Sequence, residues 1–299
     1  MSTQTITRLK AALGDYPHTL PLKQRAISSQ SIVLDFSDVK PVFRLFGAMV
    51  RECAFDVSEM AVVTYLQAKS HGKPLVLLPA AMMGRFQHHC MFYNAERGTI
   101  TPAGLAGRRV GVRSYAQTTG AWLRGHLQND FGVDPAAVQW VSFEDAHVAE
   151  FHDPPGVQRA AAGKTMTAML LAGELDAAIY GAELPDDKKL RCVIPDPYEA
   201  AREWHARHGA VPINHMVVVT QDLARSSPAT VREIYRLLLE SKAAAVPPGS
   251  DGLDPIPFGF RACRGALEVI IDYCVQQQLI PRRFEVEELF DDTTRALEG

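Results

Sequence analysis

Apolar residues in this chain fall in short runs separated by longer amphipathic stretches, the alternation of an α/β protein. The short runs predict strands at Leu9–Leu13, Ser31–Asp35, Val57–Met60, Leu75–Ala80, Arg109–Val112, Gln139–Ser142, Ala177–Ile179 and Val217–Thr220. The longer ones predict helices over Pro41–Arg51, Ser58–Ser70, Thr101–Leu105, Thr118–Asp130, Thr165–Ala172, Asp222–Ala224, Pro228–Ala244, Arg261–Gln278 and Val286–Leu289. The clearest is "SSPATVREIYRLLLESKAAA", where Ser227 is placed to cap, Pro228 suits the first turn, and Val231, Ile234, Leu238 and Leu239 share one face. No repeat or low-complexity run interrupts the pattern. "VPPGSDGLDPIPFG", rich in Pro, Gly and Asp, reads as an ordered surface loop joining two terminal helices.

With 299 residues the chain is long enough for two domains, and 47% hydrophobic with 22% charged residues is the balance of a globular protein. A formal net charge of −3 lacks the basic excess that nucleic acid selects, so no nucleic-acid partner is expected. No run is apolar for long enough to span a bilayer, and no membrane partner is expected. The amino terminus, "MSTQTITRLKAALGDYPHT", has no signal-peptide core. The five cysteines are scattered without a Cys-x-x-Cys and read as core residues, not disulfides, which places the chain in a reducing cytoplasm. Nothing sets a subunit number; a homo-oligomer is compatible with the sequence.

Ligands of open α/β sheets collect beyond the carboxyl ends of strands. "ALGDYPHT" puts Asp15, Tyr16 and His18 at such an address, although Gly-Asp and Tyr-Pro are also ordinary turn pairs. "FDVSEM" puts Ser58 and Glu59 where a strand runs into a helix, and Ser58 is as well suited to capping that helix as to binding. "GRRVGVRSYAQTTGAWLRGHL" leads a strand into Arg113, Ser114 and Tyr115 and then a helix opening at Thr118 and Thr119, with Arg124 further along. Free N–H groups at a helix start, hydroxyls and arginine make a seat for a carboxylate. The P-loop spacing is missing, so this is not read as a nucleotide site. "MMGRFQHHCMFYN" offers Arg85 as a further carboxylate fork. Of its adjacent His88 and His89, a regular strand turns only one to a given face. "VPINHMVVV" sets His215 before a strongly apolar strand.

In "EDAHVAEFHDPP", His147 and Glu150 share a face only on a helix, and Glu150 and His152 only on a strand. No regular conformation gathers all three, and no zinc-protease or facial-triad spacing is present, so no metal is assigned. The stretch reads as a pocket wall carrying one His–Glu pair.

These motifs together resemble the 4,5-dihydroxyphthalate decarboxylase family, itself related to the substrate-binding proteins of ABC transporters. The resemblance lies in "ALGDYPHTLPL", "FDVSEMAVVTYL", "GRFQHHCMFYN", "LAGRRVGVRSYAQTTGAWLRGHLQNDFGV", "HVAEFHDPP", "LLAGELDAAIYG", "VPINHMVVV" and "PRRFEVEELF", in that order along nearly the whole chain. It implies a type II periplasmic-binding-protein-like fold, with two α/β lobes around a central cleft. The chain would cross to the second lobe after Gly104 and return at Pro212, giving 1–104 and 212–299 to one lobe and 105–211 to the other. One departure is "PFGFRACRGALE", where Cys263 stands in the place of an expected asparagine beside Arg264.

The implied activity is non-oxidative decarboxylation of a hydroxylated aromatic acid, a small aromatic carboxylate, without a cofactor. Such chemistry needs an arginine seat for a carboxylate, a base for a phenol and an acid for a ring carbon. On this reading His18, Glu59, His89, His147, Glu150 and His215 are the catalytic candidates, with Glu150 orienting His147. Asp15, Ser58, Arg85, Arg113, Ser114, Tyr115, Thr118, Thr119 and Arg124 are the binding candidates. The rival reading is a non-enzymatic binding protein for an aromatic carboxylate.

Overall fold

The computed structural model of the chain describes residues 6–181, 184–245 and 253–299. In chain order its strands are β1 (Thr7–Ala12), β2 (Ile32–Phe36), β3 (Val57–Ala61), β4 (Leu75–Gly84), β5 (Met91–Asn94), β6 (Arg109–Val112), β7 (Gln139–Ser142), β8 (Gln158–Arg159), β9 (Ala177–Ile179), β10 (Leu190–Cys192) and β11 (Ile213–Thr220). The helices are α1 (Leu20–Lys23), α2 (Phe46–Glu52), α3 (Val62–Ser70), α4 (Thr118–Phe131), α5 (Met166–Ala172), α6 (Pro197–His208), α7 (Gln221–Ser226), α8 (Pro228–Ala245), α9 (Phe260–Gln276) and α10 (Asp292–Arg295). The chain divides into two units. The first holds Met1–Arg85, Ile213–Glu268 and Phe284–Gly299, and the second holds Phe86–Pro212 and Val269–Arg283.

The first unit carries a sheet in the order β2-β1-β3-β11-β4. Strand β1 runs parallel to β2 and β3, while β11 is antiparallel to β3 and β4. In β4 the first eight positions are all buried, which explains its unbroken apolar sequence "LVLLPAAM". Although β4 is last in the sheet order, its outer edge is covered. Ala81 N–H donates to Pro257 O and Gly259 N–H to Pro79 O, and Pro79 has no N–H to leave unpaired. Helix α8 lays Val231, Ile234 and Leu238 on Leu9, Leu34, Val57, Leu78 and Val219 of this sheet. This is the stripe expected from the sequence.

The second unit carries a sheet in the order β10-β5-β9-β6-β7-β8. Strand β6 runs parallel to β7 and β9, and β5 is antiparallel to β9 and β10. Met169 and Leu170 of α5 pack on Val141, Leu175 and Ala178. An aromatic cluster joins α4, α6 and the end of α9: Trp122 meets Trp204 and Tyr273 edge-on, with ring centroids 5.8 and 5.7 Å apart.

Several expectations need correction. The chain passes into the second unit after Arg85, not after Gly104, because β5 already belongs to the second sheet. Residues 269–283, assigned from sequence to the first lobe, pack in the second unit. The helix expected from Ser58 begins only at Val62, and Ser58 and Glu59 lie inside β3. The apolar residues of "VSEMA" are buried in a strand with every position enclosed, and a wholly buried strand shows no helical or alternating period. Much of the expected loop at 246–259 lies outside the described residues, which resume at Leu253. All five cysteines are free thiols, and burial pushes Cys263 up to about 12. Among the described residues, no helix is long and apolar enough to cross a membrane.

Candidate active site

In the first unit, Glu59 lies fully buried in β3, and three donors meet its carboxylate. Gly14 N–H donates to Oε2 at 2.9 Å, Tyr16 O–H to Oε1 at 2.7 Å, and His215 Nδ1 lies 2.6 Å from Oε1. The sheet register explains the last contact. Glu59 is paired with Val217, and His215 with Ala61, so Glu59 and His215 are diagonal neighbours on one face. The pairing of β11 with β4 is irregular on both sides of His215, a local break of the kind that re-aims a side chain. A carboxylate partner fixes Nδ1 as a protonated nitrogen, so that in the neutral ring Nε2 carries the lone pair. Phe46 packs edge-on against the imidazole at 5.2 Å.

The loop after β1 is built to support this carboxylate. Thr19 Oγ1 donates to Gly14 O at 2.7 Å and accepts from Tyr16 N–H at 2.9 Å, which closes a tight turn. A Cβ on Gly14 would lie 2.5 Å from the Tyr16 ring, so only glycine lets that phenol lie across the backbone to reach Glu59. Burial, with Glu59 alongside, pushes the Tyr16 phenol well up, and it stays a donor. His18 stacks on Tyr16 with centroids 5.2 Å apart and planes 3° from parallel. Its Nε2 is buried without a hydrogen-bond partner, and burial lowers its pKa, which favours the neutral imidazole.

In the second unit the turn between β6 and α4 gathers Ser114, Tyr115, Thr118, Thr119 and Arg124, all buried. Arg124 is fully enclosed. Its Nε donates to Gln277 Oε1 at 2.8 Å and one terminal nitrogen to Tyr115 O at 2.6 Å. The guanidinium lies 3.9 Å from the centroid of Tyr115 and 5.3 Å from that of Trp140. Its other terminal nitrogen, beside Gly120, has no partner, and neither has Ser114 Oγ. Two buried donors without acceptors, one in the turn before the fourteen-residue α4 and one inside that helix, are the makings of an anion seat.

The other candidates are more dispersed. Ser58 is neither cap nor open binding group, because its Oγ donates to Glu59 O at 2.8 Å within the buried strand. Asp15 is held by Lys23 and Lys40, and those two ammonium groups lower its pKa. Arg113 pairs with Glu144 at 2.6 Å. His89 is half-buried against Tyr198, whereas its neighbour His88 is buried. Arg85 is half-buried at the end of the first unit's first segment. His147 and Glu150 lie in an irregular segment, half-buried and exposed respectively, with His152 also exposed. That segment is anchored by buried Val148 and by Asp153, which accepts from Ser142 Oγ at 3.2 Å and whose carboxyl burial raises.

Two sets of partners had not been assigned roles from sequence. Tyr16 was noted at its address, but its link to Glu59 spans 43 positions and has no local signature. Gln277 and Trp140, which hold Arg124, come from equally distant segments. A third group, His88, His126 and Asp130, also comes together in the second unit.

The 4,5-dihydroxyphthalate decarboxylase of Comamonas testosteroni is 29% identical to this chain over 263 residues, covering 82% of the chain and 77% of that protein. The enzyme of the same name from Pseudomonas putida is 27% identical over 216 residues, covering 66% of the chain and 81% of its own length. Among solved structures, the periplasmic aliphatic sulphonate binding protein SsuA of Escherichia coli superposes with a TM-score of 0.61 at 11% identity, over 96% of this chain and 93% of that one. No protein-family model matches. The structural likeness shows the fold, that of periplasmic-binding-protein-like α/β proteins.

Proposed function

Because this chain is a relative of the 4,5-dihydroxyphthalate decarboxylases, we propose that it is a carboxy-lyase that removes CO2 from a hydroxylated aromatic acid, with 4,5-dihydroxyphthalate as the leading substrate. The observation that carries this reading is the 29% identity to a decarboxylase along four-fifths of the chain, and this chain supplies an imidazole–carboxylate pair of half-buried His215 and buried Glu59.

In 4,5-dihydroxyphthalate each hydroxyl is para to one carboxylate. Removal of a phenolic proton pushes electron density to the para ring carbon, which takes up a proton. The C–CO2 bond then breaks, its electron pair returns to the ring, and protocatechuate leaves with CO2. His215, oriented by Glu59 through Nδ1, has Nε2 available as the base. Tyr16 completes the carboxylate's hydrogen bonds, and His18 offers a neutral imidazole as a second proton carrier. In the second unit, Ser114 Oγ, the Arg124 guanidinium and the start of α4 supply donors of the kind a carboxylate takes, with Arg113 nearby in sequence. His147, supported by Glu150, remains in this proposal as a further acid/base group.

The test is incubation of the purified chain with a panel of hydroxylated phthalates and benzoates while CO2 and aromatic product are followed together. The expected result is one CO2 per protocatechuate formed, with 4,5-dihydroxyphthalate preferred. The rival reading is simple capture of an aromatic carboxylate. Saturable ligand binding without CO2 release across the panel would establish that rival instead.

A further inference from the structure

His88, His126 and Asp130 form a second polar cluster, and nothing in the proton chemistry above uses it. His88 lies in a short turn just before β5, while His126 and Asp130 are one turn apart on α4 and share a face. His88 is 1% exposed and His126 0%. The two imidazoles stack with centroids 4.1 Å apart, walled by Trp122, Trp204 and Tyr273. None of the four ring nitrogens has a hydrogen-bond partner, and neither does Asp130 Oδ2. Three buried imidazole nitrogens without a partner, beside a His126–Asp130 pair held only by a 3.3 Å contact, carry a large desolvation penalty that burial alone does not explain.

The separations suggest what would satisfy them. His126 Nδ1 and Asp130 Oδ2 are 3.3 Å apart, close enough for an ion pair yet misaligned for a hydrogen bond. Ligand bonds of about 2.0–2.2 Å around a tetrahedral ion place neighbouring donor atoms about 3.3–3.6 Å apart. One donor atom from each of the three residues lies within 4.8 Å of the other two. Closing the set therefore takes a movement of at most about 1.5 Å, made by His88 turning out of its stack. Arg207 donates to Asp130 Oδ1 at 2.7 Å, which orients the carboxylate and leaves Oδ2 as the ligand atom.

We propose that His88, His126 and Asp130 bind one divalent late-transition-metal ion, such as Zn2+, Co2+ or Ni2+, as a structural site of the second unit. Two imidazole nitrogens and a carboxylate oxygen suit these ions, and water completes the coordination. A three-donor set enclosed by aromatic rings ties the turn before β5 to α4. The proposal is independent of the decarboxylase reading.

The test uses the full chain freed of any histidine tag, stripped with a chelator and titrated with Co2+ and separately with Zn2+. Expected are one bound ion per chain, the visible absorption of low-symmetry Co2+, and a raised thermal midpoint. Asp130→Asn and His126→Gln, each checked for native circular dichroism, should weaken binding by at least about 10-fold, the loss that even outer-shell changes bring. Arg207→Gln, which removes the donor that orients the Asp130 carboxylate without removing a ligand, should weaken binding less than loss of a ligand does. If either ligand variant fails to fold, His88→Gln in its turn and Arg207→Gln on the surface carry the comparison. Absence of saturable one-to-one binding by the unmodified chain overturns the proposal. So does binding that survives loss of a ligand undiminished in every folded variant.

Discussion

The Glu59 carboxylate takes donors from a backbone amide, a phenol and an imidazole, the first two from the loop after β1 and the third from β11. Removing Glu59 takes the shared acceptor from all three donors, and removing His215 takes from Glu59 the group it orients, so the pair acts as a unit and single losses should not add. Under the proposed reaction, Glu59→Gln and His215→Gln should each lower kcat by about 100-fold or more, as for loss of a positioned acid or base. The double variant should be little worse than either single one. Steady-state kinetics on proteins of native circular dichroism measure this. Independent effects that multiply would remove Glu59 from its positioning role. His152→Ala, an exposed change, should alter turnover by less than about twofold. Sequence alone put His18 and Glu59 among the candidates because strand ends are favoured ligand addresses, and His215 through the family resemblance. It did not pair them, since the contact between Glu59 and His215 spans 156 positions and depends on sheet register. Asp15 shows the opposite failure: it sits at a favoured address, but Lys23 and Lys40 occupy its carboxylate.

Elements were legible where burial left a period. The stripe of α8 and the strands β6, β7 and β9 stand where the apolar pattern put them. Three strands had no such signal: β8 has two exposed residues, β10 one buried residue in three, and β5 only four residues in all. Helix α6 buries only Ala201 and Trp204, too few to make a stripe. Its ends are nonetheless written in the sequence as Asp196 capping, Pro197 in the first turn and Gly209 with φ of 60° beyond the last. The packing of α4 on α9 rests on a feature no period reveals. A Cβ at Gly125 would lie 1.9 Å from the Tyr273 ring, which itself packs on Trp122 and accepts from Trp204 Nε1 at 3.3 Å. Gly125→Ala should therefore cost at least about 1–3 kcal/mol by overpacking, despite the better helix propensity of alanine. Gly47→Ala, in α2 with open space at its Cβ, should instead add up to about 1 kcal/mol. Urea denaturation of both variants gives the comparison. Equal effects would mean that the ring moves aside at no cost.

Across the whole molecule, a net charge of −3 and 34 acidic residues would suggest acid denaturation governed by carboxylates alone. Buried histidine adds an earlier window. His18 has its pKa lowered by burial, so the unfolded chain, whose histidines titrate at about 6.5, takes up that proton first as pH falls. Its contribution is complete above the unfolded value and is lost progressively as pH drops below it towards the folded value, with a slope of at most about 1.4 kcal/mol per pH unit. Glu233 acts lower down. Its hydrogen bond from Arg236 holds it at about 2 against an ordinary 4.5, so its contribution is present above 4.5 and disappears between 4.5 and about 2. Solvent screens that surface pair, which limits it to about 1 kcal/mol or less. Denaturation free energies measured from pH 7.5 down to 3 should therefore begin to fall below about 6.5 and fall again below about 4.5. His18→Gln should make the upper part shallower without abolishing it, since burial also lowers His88, His126 and His208, and Glu233→Gln should reduce only the lower part. An upper limb with the same slope in His18→Gln as in the unmodified chain would mean that His18 is protonated as readily inside the fold as outside it. That outcome would also remove its claim to be the neutral imidazole beside Tyr16.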